Sequence, residues 1–527
     1  MLAFILRRLL QAVIVMVTVA FIAFMLFQFV GDPVAILLGQ DATPDQVAEM
    51  RAALGLDKPF VVQFWHFLVN AAQGEFGLSL RQGAKVSRLI AERFPATLEL
   101  SLVAAFIALA LGVPMGVYAA LRRGSFMSQL FMTLSLLPRF FPGITRFRST
   151  PTTPDGRSLQ QAIVEDVAAA GGWMSFARFM EQVLYRPGLG YYTAGARKFG
   201  AAGDFVTAPE ISALFGRALA RQVKPVLAAS SPAVLEVGAG SGRLAADLLL
   251  ELERLGSLPE RYCILDLSAD LRQRQQQTIA AAAPHLLSRV EWLDCLPERF
   301  SGAVVANELL DAMPAHIVAW RDEGIVERGV SLDAQGGFTW AERPASGALL
   351  AAAGEIGAQC QLPPGFESEI SLAVRAWAAE WGHRLDRGAL LLIDYGFPRR
   401  EFYHQQRGRG TLMCHYRHHA HPDPFYLPGL QDVTVHVDFT SVIAAAHGAG
   451  LDLLGYTSQG QFLLNCGILD LLAAIPGGTP EYIRASGAVN TLLMPHEMGE
   501  LFKVIAIGRG IEEPLRGFAS GDQGWRL

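Results

Sequence analysis

No CxxC pair occurs in this chain; its five cysteines, Cys263, Cys295, Cys360, Cys414 and Cys466, are scattered. Neither a disulfide scaffold nor a thiolate zinc cluster is therefore expected, and a reducing compartment suits the part that holds them. Charge is scarce, at 18% of residues, and the formal net charge is -5. That argues against a nucleic-acid binder working by bulk electrostatics. HExxH, the helical zinc-protease spacing, is missing as well. What the chain has in plenty is apolar sequence, 51% of 527 residues, and a length that calls for two or three domains.

One stretch organises the rest: Val234-Leu235-Glu236-Val237-Gly238-Ala239-Gly240-Ser241-Gly242-Arg243-Leu244. An apolar, β-branched run ends in three glycines at alternate positions, followed by a helix-forming segment from Leu244 to Leu255. This reads as a parallel strand, a tight turn and a helix whose N-terminus faces a ligand. The turn follows neither GxGxxG nor GxxxxGK[ST]. The next strand, Tyr262-Cys263-Ile264-Leu265, ends at Asp266, 24 residues after Gly242. A carboxylate there can accept both ribose hydroxyls of a nucleoside.

The apolar excess is concentrated at the N-terminus. Leu9 to Val30 is a 22-residue uncharged run preceded by Arg7 and Arg8, long enough to span a bilayer. Leu100 to Leu121 is also uncharged and ends at Arg122-Arg123; the two spans are set at about 9–30 and 98–121. The flanking arginines put both outer ends in the cytosol, and with them everything after residue 123. Arg146 to Arg157 is rich in Pro, Thr and Arg, so residues 138–157 read as a linker and an ordered domain begins at Ser158.

From there LQQAIVEDVAAA and Ser175 to Glu181 carry helical periodicity. Tyr185 to Tyr192 is aromatic and turn-rich, and either lines a pocket or packs a lid. Strands are expected at Val234–Val237, Tyr262–Leu265, Val290–Leu293, Ala303–Ala306 and Leu390–Ile393, alternating with helices. Short added strands fall between Val318 and Trp340, a helix begins at Glu367, and the last strands are placed at Gln461–Leu464 and Leu501–Ile507. Polar residues cluster just past the strand ends: Asp294, Asn307-Glu308 with Asp311, and Asp394. Open α/β sheets bind ligands there. His415, His418, His419, His421 and His436 are dense enough for zinc or iron, but Pro422 and Pro424 break any helix. A substrate-loop or hydrogen-bonding role is expected over a metal.

Two resemblances follow. Gly31-Asp32-Pro33, Leu54 to Pro59, Gly74 to Ser79 and Pro95 to Leu100 resemble the beginning of the permease subunits of dipeptide and oligopeptide ABC transporters, over residues 1–137. The resemblance then stops, so the chain reads as a truncated permease fused to another protein, by gene fusion or by a gene-calling or sequencing error. Beyond it LYRPGLGYYT, GDFVTAPEIS, LEVGAGSGRLAADLL, LDLSADLRQRQ, ANELLDAMP, LLIDYG, GTLMCHYRHHAHPDPF and MGELFKVIAIGR resemble the MidA-like class I S-adenosyl-L-methionine-dependent methyltransferases. These are relatives of the mitochondrial complex I assembly arginine methyltransferase, and the resemblance spans residues 158–510, leaving 511–527 as a tail.

That resemblance implies a Rossmann-like α/β sheet. It implies that Glu236, Gly238, Gly240 and Gly242 surround the methionine part of the cofactor, with Asp266 on the ribose, Asp294 near the adenine and Asn307 beside them. The group usually has glutamate where this chain has Asp266, a carboxylate one methylene shorter. A protein arginine is the expected acceptor, with Glu308 and Asp311 as catalytic carboxylates and Glu210, Asp394 and His418 as weaker substrate-side candidates. The competing role for Glu308 and Asp311 is helix capping. By family analogy the protein substrate is a respiratory complex I subunit. The methyltransferase domain is expected in the cytoplasm, and the whole chain in the inner membrane if the N-terminal fragment is genuine. Other readings are a small-molecule acceptor, a non-catalytic membrane-anchored assembly protein, and a permease remnant.

Overall fold

The computed structural model describes Phe21, residues 60–72, Ser87, Leu98, 158–194, 206–417 and 419–527. The linker and, apart from Phe21 and Leu98, both expected spans lie outside the described residues. Among the described residues no helix is long and apolar enough to cross a membrane. The chain divides into two compact units, residues 1–144 with 478–487, and 145–477 with 488–527. In the first, Phe60–Ala72 forms an amphipathic helix with Trp65 exposed.

The second unit is built on one mixed sheet. Its strands are β1 (Ala233–Val237), β2 (Arg261–Leu265), β3 (Val290–Leu293), β4 (Phe300–Asn307), β5 (Leu385–Phe397), β6 (Asp452–Ser458) and β7 (Phe502–Arg509). Their spatial order is β3-β2-β1-β4-β5-β7-β6. Neighbours from β3 through β5 are parallel, whereas β7 runs antiparallel to both β5 and β6. Every residue of β1 is buried, as are those of β7 apart from its last. Such continuous burial suits a sheet covered by helices on both faces. One side of the core packs Leu235, Val304, Leu392 and Ile505 against Val374, Trp381, Phe439 and Val442 from helices Leu372–Arg384 and Phe439–Gly448. The order reverses between β1 and β4, which opens a crevice beyond the carboxyl ends of those strands.

Two additions wall that crevice. Between β4 and β5 an antiparallel sheet is inserted from His316–Arg321, Gly324–Leu332, Phe338–Pro344 and Glu367–Ile370, with Met174–Ser175 on its edge. After β5 comes a three-stranded sheet of Met413–Tyr416, His419–His421 and Asp432–Thr434. Helices Leu159–Ala169 and Phe176–Tyr185 bury Ile163, Phe176, Phe179 and Val183 with Ile317 and Val330 of the first addition and Cys414 and Val433 of the second. The first of these helices starts at Ser158 with a reciprocal Ser158–Gln161 capping box.

Two expectations about the elements need correction. Gln461–Leu464 is not a strand: the sheet strand is Asp452–Ser458, and Ser458 ends it by accepting from the backbone N–H of Gln461 and opening helix Gln459–Asn465. Glu367–Ile370 is a strand paired with His316–Ala319, and the helix begins only at Leu372, capped by Ser371. In both places a serine N-cap sets the boundary that apolar content alone blurs.

Candidate active site

The glycine turn between β1 and helix Arg243–Arg254 has left-handed backbone at Gly238 (φ 74°), Gly240 (φ 53°) and Gly242 (φ 82°). At Gly242 there is a second constraint, since a Cβ there would lie 2.7 Å from the Gln275 Cα. Only glycine satisfies both. Beside this turn opens a cleft of about 580 Å³.

Its floor is the end of β1 and β2. Glu236 is buried and accepts a 2.6 Å hydrogen bond from the Tyr262 hydroxyl. Burial raises its carboxyl to about 7, against the opposing pull of the Tyr262 bond. Asp266 accepts from Ser268 N (3.0 Å) and from Gln275 Nε2 (2.8 Å). Gln275 Nε2 also reaches the Gly240 carbonyl, and its Oε1 accepts from the Trp292 indole at 3.0 Å. One buried amide thereby ties the glycine turn to the acid at the end of β2.

The opposite wall follows β4. Glu308 has φ 52°, an uncommon backbone for a residue with a Cβ. Asp394, at the end of β5, holds this turn. Its Oδ2 accepts from the backbone N–H groups of Leu309, Leu310 and Asp311 at 3.1, 2.8 and 3.3 Å, and its Oδ1 from Tyr395 N at 2.8 Å. Burial lifts Glu308 to about 8, with the Asp394 charge adding to it. Burial also raises Asp311 well above the usual carboxylate range, helped by Asp394, Asp432 and Glu308. Asn307 donates to Glu308 Oε1 at 3.1 Å, while its own buried Oδ1 has no hydrogen-bond partner.

Beyond Glu308 the cleft is closed by the added elements: Tyr185, Tyr192, His415, Asp432 and Thr434. Burial, then His421, lowers the His415 imidazole below its ordinary value. Among the described residues lining the cleft are seven carboxylates, Glu181, Glu210, Glu236, Asp266, Glu308, Asp311 and Asp432, and neither a lysine nor an arginine. Carboxylates held this close in low dielectric repel one another and favour a cationic guest.

The structure brings most of the expected residues together. Glu210, Glu236, Gly238, Gly240, Asp266, Asn307, Glu308 and Asp311 line the cleft, and Glu210 accepts from the Ser241 hydroxyl. Gly242 serves as helix cap just outside the lining. Asp294 is also outside it, with a side chain 90% exposed and paired to Arg272 at 2.6 Å. Asp394 acts on the turn from behind rather than facing the cleft. His418 lies outside the described residues. Among those described, no group of His, Cys, Asp and Glu is placed to hold a metal ion. Gln275 and Asp432 carry no local signal in the sequence, because the glycine turn and the tyrosine that they meet lie 35 and 240 residues away.

A family model described as "Putative S-adenosyl-L-methionine-dependent methyltransferase" matches residues 214–457. A crystal structure from Burkholderia thailandensis, of a "likely methyl transferase" bound to S-adenosyl-homocysteine, is 51% identical, with a TM-score of 0.68, covering 70% of this chain and 96% of that one. The mitochondrial protein arginine methyltransferase NDUFAF7 of Danio rerio is 28% identical over 410 residues, 71% of this chain and 93% of that protein. At the other end, a model for the N-terminal part of binding-protein-dependent transport system membrane components matches residues 1–101. A Brucella suis biovar 1 protein described as "Putative peptide transport system permease protein" is 41% identical over 138 residues. That match is 26% of this chain, and the chain spans 44% of the permease's length. The enzyme's cofactor is S-adenosyl-L-methionine. The residues present fit it: an acidic cleft for a sulfonium and an ammonium, an unpaired Asn307 oxygen, and glycines that let backbone approach.

Proposed function

We propose that this chain, which belongs to the S-adenosyl-L-methionine-dependent methyltransferase family, methylates a protein arginine side chain. The observation that carries this reading is the lining of the cleft: seven acidic side chains with no lysine or arginine among them. A guanidinium stays protonated in water and offers five N–H donors in one plane. The likeness to an arginine methyltransferase at 28% identity supports the same acceptor.

When bound, the cofactor supplies an electrophilic methyl group on a sulfonium, and its electron pair leaves to sulfur. Glu236, Asp266 and Asn307 hold the cofactor end. Glu308 and Asp311 hold the guanidinium and turn one nitrogen along the line of attack. As the C–N bond forms, that nitrogen must shed a proton, and one of the two carboxylates takes it. Both have raised proton affinity, which suits a proton acceptor better than an ordinary carboxylate would. The substrate subunit would belong to a respiratory NADH dehydrogenase. Incubating residues 157–527 with labelled cofactor and bacterial complex I subunits, then locating label by mass spectrometry, tests the reading. Label on arginine supports it; label only on small molecules or on other side chains overturns it.

Residues 1–137 we read as a permease-like membrane fragment with the methyltransferase domain on the cytoplasmic side. The match over residues 1–101 and the arginines flanking the two apolar runs support this. Fractionation of cells expressing the full chain tests it: recovery of the chain in the soluble fraction sinks the idea.

A further inference from the structure

One wall of the cleft is made by segments that the main sheet does not contain. Tyr185 closes helix Phe176–Tyr185 and Tyr192 follows in the next turn; their rings stack with centroids 5.5 Å apart and planes at 19°. The Tyr192 hydroxyl donates to Asp432 Oδ1 at 3.0 Å, and the Tyr185 hydroxyl donates to the carbonyl of Ala312, next to Asp311, at 2.9 Å. Asp432 stands directly opposite His415 on an antiparallel strand pair, so both side chains leave the same face, and both line the cleft. The tyrosine pair and the added sheet therefore meet at one carboxylate.

We propose that Asp432, held by Tyr192, binds the methyl acceptor and selects a guanidinium over an ammonium. This rests on the arginine reading given above. Three carboxylates, Glu308, Asp311 and Asp432, converge there beside two stacked phenols. A planar ion with donors on several edges can engage all three at once and lie against aromatic rings. An ammonium presents three donors from one strongly hydrated point and gains less from the rings. The Asp432 charge reaches the reacting pair, since it contributes to the raised proton affinity of both Glu308 and Asp311.

The test uses the full chain or residues 157–527 saturated with S-adenosyl-homocysteine. N-acetyl-arginine amide and N-acetyl-lysine amide are titrated separately and followed by ligand-observed NMR. The wild type should bind the arginine probe about tenfold more tightly than the lysine probe. Asp432→Asn should abolish most of that difference while leaving S-adenosyl-homocysteine affinity unchanged, which also shows that the variant is folded. Tyr192→Phe, which keeps the ring and removes the hydroxyl, should give a smaller loss in the same direction. If the arginine probe binds the wild type and Asp432→Asn equally, the inference falls and the arginine reading stands. Equal binding of both probes to the wild type overturns the selection of guanidinium, and binding of neither overturns both.

Discussion

The Gln275 side-chain amide donates to Asp266 Oδ2 across 2.8 Å and to the Gly240 carbonyl across 3.2 Å. The acid at the end of β2 and the glycine turn after β1 are thus set in register by a residue on helix Ala269–Ala282. Replacing Gln275 with alanine should weaken cofactor binding about tenfold, roughly 1.4 kcal/mol. Calorimetric titration of S-adenosyl-homocysteine checks this, and unchanged affinity would deny the coupling.

Gly242→Ala should do more damage. The position has φ 82°, and a Cβ would meet the Gln275 backbone at 2.7 Å. Backbone strain and collision together should cost about 2 kcal/mol or more, visible as a lowered melting temperature. A variant as stable as the wild type would show that the turn has slack.

Glu308→Gln and Asp311→Asn separate chemistry from binding. Each should lower turnover about 10²- to 10⁴-fold, with cofactor affinity nearly unchanged, because the cofactor end proposed above is built from Glu236, Asp266 and Asn307. Single-turnover kinetics measure it. Full activity in both variants would show that neither carboxylate takes part in the chemistry.

Asp394→Asn tests the turn itself. Its carboxylate accepts from four backbone N–H groups, and an amide cannot match that acceptor capacity. Stability should fall by about 1–3 kcal/mol, and activity should fall with it while the Glu308 side chain remains intact. Urea denaturation read beside turnover distinguishes this from a direct catalytic part, which would spare stability.

The ligand-free domain should become less stable as pH rises through neutrality. Burial raises Glu236 to about 7, Glu308 to about 8 and Asp394 to about 7. A carboxyl raised on folding stabilises the native state fully below its unfolded value, near 4. That contribution fades between about pH 4 and the folded values of about 7 to 8, because over that range the native chain holds protons that the unfolded chain has lost. Melting temperatures across pH 5.5 to 8.5 should therefore fall in the absence of ligand. A cationic ligand should flatten the slope by favouring the ionised forms. A profile rising with pH would contradict the placement of these acids.

The parts that depend on neighbours along the chain are legible from residue order alone. Apolar runs placed five parallel strands, alternate glycines marked the turn after β1, and Asp266, Asn307, Glu308 and Asp311 could be named because ligands gather just past strand ends. These are consequences of backbone sterics and of burial on both sheet faces, and both are written in short windows. Where each acid faces is set by the folded chain. Asp266 and Asp394 look alike in sequence, each following an apolar strand, yet Asp266 lines the cleft while Asp394 turns back to hold three successive amides. Gln275, Tyr192 and Asp432 gain their roles from partners 35, 240 and 240 residues away. The raised proton affinities follow from burial and from mutual repulsion among carboxylates drawn from five separate segments. No short window contains that field, because it exists only once the chain has closed around the cleft.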